Sequence, residues 1–89
     1  MTLTKRWTAD VFVNEHEDWT YAEARLHTND NTHLVGYGRA QRNPADKDIP
    51  EIGDELATAR ALTDLGHRLL LAAALDIQAV SGNRFDFGR

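Results

Sequence analysis

The chain has 89 residues, no cysteine, and a formal net charge of −4 from 10 Lys and Arg against 14 Asp and Glu. Length limits it to one small domain, the absence of cysteine excludes disulfides and thiolate metal sites, and the acidic balance speaks against sequence-independent binding to a phosphate backbone. No run approaches the ~18 apolar residues of a membrane span, and residues 1–6 carry charge with no apolar stretch behind it, so no signal peptide is expected and a cytoplasmic location is. A chain of this size buries about 60–65% of its unfolded surface. Such a modest core is often supplemented by a partner subunit.

Three short runs with a period of two lead the chain, which predicts strands over about 7–15, 20–28 and 33–42. In the first, Trp7, Ala9, Val11 and Val13 alternate with Thr8, Asp10, Phe12 and Asn14. In the second, Ala22, Ala24 and Leu26 share one face, and Tyr21, Glu23, Arg25 and His27 the other. In the third, Leu34, Gly36, Gly38 and Ala40 oppose Val35, Tyr37, Arg39 and Gln41. The turn Glu15-His16-Glu17-Asp18 joins the first pair, and Thr28-Asn29-Asp30-Asn31 the second. Short connections make an antiparallel meander the economical topology. The small and aliphatic face of all three strands is expected to meet a helix, closely so over Gly36 and Gly38.

Asn43-Pro44-Ala45-Asp46-Lys47-Asp48 has the turn formers of a loop. A helix is expected over about 50–72, with Asp48 as its cap, Pro50 at an early position and Glu51, Asp54 and Glu55 near its positive end. Ile52, Leu56, Ala59, Leu62, Gly66, Leu69, Ala73, Ile77 and Val80 recur at steps of three and four and form the expected apolar stripe. Gly66 in that stripe suggests contact with a large ring such as Trp7. Arg60 with Asp64, and Asp64 with Arg68, are spaced for ion pairs. Two readings stay open beyond residue 72: a continuous helix, or a break at 72–76 with Asp76 capping a short second helix over 75–81. Residues 82–89, with Phe85 and Phe87, read as a tail. The fold class is α+β, a three-stranded antiparallel sheet packed on one long C-terminal helix.

No catalytic signature is present. Glu15, His16 and Glu17 combine metal-binding side chains, but a solvated hairpin turn explains them more simply, and neither a metal nor a cofactor is expected. Carboxylates around the helix start serve loop polarity and the helix dipole. Gly36-Tyr37-Gly38-Arg39 lacks the pattern of a phosphate loop. The sheet face away from the helix is richer. Phe12, Tyr21, Arg25, Tyr37, Arg39 and Arg42 interleave rings with guanidiniums, a set that suits either base stacking or a homodimer interface. The small core and acidic charge favour the dimer.

Several blocks carry a family likeness: Trp7-Thr8, Ala22-Glu23-Ala24-Arg25-Leu26, Val35-Gly36-Tyr37-Gly38-Arg39-Ala40, Asn43-Pro44-Ala45-Asp46 and Pro50-Glu51-Ile52-Gly53-Asp54-Glu55-Leu56-Ala57. Over about residues 7–80 the chain resembles a family of small actinobacterial proteins, a domain of unknown function that includes a mycobacterial dormancy- and hypoxia-induced protein. The resemblance implies a fold like that of double-stranded-RNA-binding (dsRBD-like) domains and a homodimer. It also implies a non-enzymatic, stress- or dormancy-associated factor acting on the ribosome, because a member has been likened to ribosome hibernation-promoting factors. On that reading Arg25, Arg39 and Arg42 contact ribosomal RNA and Tyr37 stacks. The alternative is a homodimeric protein-interaction module with no nucleic-acid binding.

Overall fold

Period-two alternation and a two-residue turn give the first hairpin. A computed structural model describes residues 1–30, 32–45 and 47–81. It contains strands β1 (Thr8–His16), β2 (Trp19–His27) and β3 (His33–Gln41), followed by one helix, α1 (Pro50–Ser81). The sheet is antiparallel in the order β1-β2-β3. His16 pairs with Trp19, so Glu17 and Asp18 alone make the turn. Glu17 adopts φ 56° to close it, a left-handed conformation of the kind that tight hairpins require. His27 pairs with His33 across the second turn, where the Asp30 carboxylate accepts bonds from the Thr28 hydroxyl and the Thr32 amide. Those bonds hold its carboxyl below the usual 3.8. The turn residue Asn31, the loop residue Asp46 and the tail 82–89 lie outside the described residues.

Register puts Ala22, Ala24, Leu26, Leu34, Gly36, Gly38 and Ala40 on one face of β2 and β3. The helix covers that face with Ala57, Ala61 and Leu65, and Leu34 and Leu69 pack at the rim. A Cβ added at Gly38 would run into the backbone of Ala57 and Ala61, and one at Gly36 into that of Ala61 and Leu65. Helix and sheet backbones therefore lie almost in contact. Small residues permit this approach, and it replaces the usual layer of large side chains.

That contact corrects the expected stripe. Ile52, Leu56, Leu62, Ile77 and Val80 are exposed, because the face that fits over two glycines must itself be alanine. Gly66 meets nothing within 4 Å, so Trp7 does not pack on it. The helix is continuous to Ser81, which removes the alternative of a short second helix. Its run of alanines near 72–76 propagates helix well and contains nothing that breaks one. Asp48 is not the cap. Pro50 takes the first helical position, the Ile49 carbonyl accepts the Ile52 amide at 3.1 Å, and the Asp48 carboxylate lies 3.8 Å from Arg42.

Only two strands are covered. Every residue of β1 is exposed, against the expectation that all three strands pack on the helix. Thirty-two helical residues span about 48 Å, whereas nine-residue strands span about 30 Å, so α1 overhangs the sheet. The radius of gyration is 17.0 Å, against about 12 Å for a compact chain of this length. The chain exposes 7315 Å², where a compact protein of its mass exposes about 5,200 Å². The exposed N-terminal residues, β1 and the overhanging helix all contribute to the excess.

Candidate functional site

Alternation along each strand sends Phe12, Trp19, Tyr21, Glu23, Arg25, Val35, Tyr37 and Arg39 to the sheet face opposite the helix. Register sets them in rows: Phe12 beside Glu23 beside Tyr37, and Asn14 beside Tyr21 beside Arg39. The structure thus brings Phe12, Tyr21, Arg25, Tyr37 and Arg39 together as expected. Arg42 does not join them. It lies one residue past β3, and its guanidinium bonds the Asp18 carboxylate at 2.9 Å, on the side of the helix start.

Guanidiniums cover the rings. Arg25 sits 4.7 Å over Phe12, Arg39 5.1 Å over Trp19, and Arg68 5.6 Å over Tyr37. Trp19 and Tyr21 stack at 6.1 Å. Charge on the face is largely answered within it: Arg25 pairs with Glu23 at 2.8 Å, and Arg68 with Asp64 at 2.9 Å. Cation–π contact keeps the rings occupied at an exposed surface. Glu23 was expected on this face but not as a site residue, and Trp19 and Arg68 were not expected here. The parity of β2 was enough to find the first two; Arg68 reaches the face from the helix, which no strand pattern reveals.

The two sheet edges differ. At β3 the helix supplies caps: the Asp64 carboxylate accepts the Tyr37 amide at 2.8 Å, and Arg60 donates to the Arg39 carbonyl at 2.7 Å. Asp64 therefore bonds both Tyr37 and Arg68, and the two, the amide first, hold its carboxyl below the usual 3.8. Arg60 serves the edge and not the expected pair with Asp64. At β1 no described side chain caps the outer edge. Val11, Val13 and Trp7 on one face of β1, and Phe12 on the other, are exposed. Leu70, Leu71, Leu75, Ile77 and Val80 on the overhanging half of α1 are exposed as well. An unpaired edge strand with apolar faces is a template for further pairing.

The turn cluster does not assemble a metal site. Glu15 and His16 point to opposite faces of β1, and His16 lies 3.9 Å from Glu17 only. Among the described residues no group of three or more His, Cys, Asp or Glu could hold a metal ion. His27, opposite His33, bonds Asp10 at 2.9 Å. No described helix is long and apolar enough to cross a membrane.

Comparison with known proteins places this fold. The uncharacterized protein Mb1767 of Mycobacterium bovis is 52% identical over 79 residues, covering 89% of this chain and 83% of the relative. The uncharacterized protein Rv2632c of Mycobacterium tuberculosis is 46% identical over 70 residues, covering 79% of this chain and 74% of the relative. The crystal structure of Rv2632c superposes with a TM-score of 0.83 at 40% identity, covering 92% of this chain and 96% of that one. Residues 5–86 match the Rv2632c-like family, and the chain belongs to that family.

Proposed function

We propose that the protein is a non-enzymatic, cytoplasmic interaction module whose working unit is a homodimer built on β1 and the second half of α1. One observation carries this reading: β1 is exposed on both faces with a bare edge, beside a helix that runs past its own sheet with large apolar side chains in water. The monomer core consists mainly of alanines, and each buried methyl or methylene contributes only about 0.8 kcal/mol. Stable interfaces bury about 800 Å² on each partner, and the uncovered strand and helix offer apolar surface for one. A second copy answers both features at once, because its own β1 edge and helix overhang are equally unpartnered. Sedimentation equilibrium of the wild type should return twice the monomer mass. The variant Val11→Glu should return the monomer mass while keeping its helical circular dichroism. Monomeric wild type at micromolar concentration would refute the proposal.

A second reading takes the open sheet face as the RNA platform of a stress- or dormancy-linked ribosome factor with a dsRBD-like arrangement. One observation favours it: Arg39 lies over Trp19 with no carboxylate partner among the described residues. Fold-level likeness adds only analogy. On this reading the protein co-sediments with ribosomal particles at low salt, and the association weakens steeply as salt rises. Because Arg25 and Arg68 are already paired with carboxylates on the face, the dimer reading predicts no such association.

A further inference from the structure

We propose that a protonated Glu15 carboxyl donates a hydrogen bond to Asp54 and forms an acid-closed clasp between the end of β1 and the first turns of α1. Glu15 pairs with Thr20 on the helix-side face. Thr20 lies directly under Gly53, where an added Cβ would meet its Oγ1 at 2.7 Å. The side chain of Asp54, next along the helix, bonds the Glu15 carboxyl. Asp54 Oδ1 is buried and has no hydrogen-bond donor among the described residues. Two carboxylates have only acceptors to offer each other, and a protonated Glu15 supplies the missing donor.

The surroundings reinforce this. The bond to Asp54 pushes the Glu15 carboxyl above its ordinary 4.5, followed by the Asp54 charge, burial and the charges of Asp48 and Glu51. Glu17 and Asp18 line the same cleft from the turn. The cations there are Arg42, bonded to Asp18 and close to Asp48, and Lys47. Like charge disfavours ionisation of both members of a close pair, so the protonated state is the one that seats β1 against the helix. β1 is held by its ladder to β2 and otherwise scarcely touches α1, so this pair is a direct tie between that strand and the helix.

Linkage gives the direction. The folded state holds the Glu15 proton more tightly than the unfolded state, so the clasp's stabilisation is complete below 4.5 and disappears as pH rises through the raised value. The test is a carboxyl carbon-13 titration of Glu15 together with urea unfolding at fixed protein concentration, from neutral pH down to 4.5. The wild-type urea midpoint should rise on acidification, and Glu15 should titrate above 4.5. Glu15→Gln, which donates to Asp54 at every pH, should match the acid wild type at neutral pH and lose the slope. Asp54→Asn should flatten the slope as well. A Glu15 midpoint at 4.5, or an unchanged slope in Glu15→Gln, would overturn the clasp.

Discussion

At Ala57, Ala61 and Leu65 the helix lies on β2 and β3 so closely that a methyl group on Gly36 or Gly38 has no room. At Leu70, Leu75 and Val80 the same helix carries large apolar side chains that remain exposed. The sheet repeats the contrast: β2 alternates buried and exposed residues along most of its length, while β1 is exposed throughout. Small residues built the closed half, and large ones were left on the open half. Burial here follows shape more than hydrophobicity. The closed half is a complete helix–sheet contact, and the open half is the surface that the proposed second copy would cover.

The largest effects should fall in the closed half. Gly38→Ala forces a methyl into the helix backbone and should lower stability by about 3 kcal/mol, the upper part of the usual overpacking range, seen as a fall in the urea midpoint. Leu65→Ala should cost about 2–3 kcal/mol by leaving a cavity. Leu75→Ala makes the sharper comparison. It should leave the stability of the dissociated chain nearly unchanged and act on dimer affinity, measured by dilution. A cost in the dissociated chain equal to that of Leu65→Ala would erase the distinction between the halves.

Edge capping gives a smaller, pH-dependent effect. The carboxyl of Asp64 is held below 3.8 by the Tyr37 amide and Arg68. Its contribution is present above 3.8 and should be lost as pH falls through the lower folded value. Asp64→Asn should remove that acid limb from a stability–pH curve. This window lies below that of the Glu15–Asp54 clasp, so one titration separates them. Smallest is Glu17→Gly. Relieving a left-handed φ of 56° should raise stability by about 0.5 kcal/mol, read as a small gain in thermal midpoint.

Much of the fold was legible because strands declare themselves locally. The alternation and the short turns set the strand bounds to within a residue, and the same parity placed Phe12, Tyr21, Arg25, Tyr37 and Arg39 on one face. Arg42 is in step with Gly38 and Ala40, so the same alternation sends it toward the helix side, where it bonds Asp18. The helix was legible as a helix but not in its orientation. A stripe through Ile52, Leu56 and Leu62 has the larger side chains, yet two glycines on β3 select Ala57 and Ala61. Nor could alternation reveal that β1 lacks a cover, since a strand awaiting a second chain has the same pattern as one packed on its own helix.

Sedimentation equilibrium of the wild type against Val11→Glu tests the central claim most directly, because it asks whether the open half is closed by a second copy. Twice the monomer mass for the wild type, and a folded monomer for the variant, is the predicted result. A wild-type monomer, or a variant that keeps the dimer mass, would contradict it.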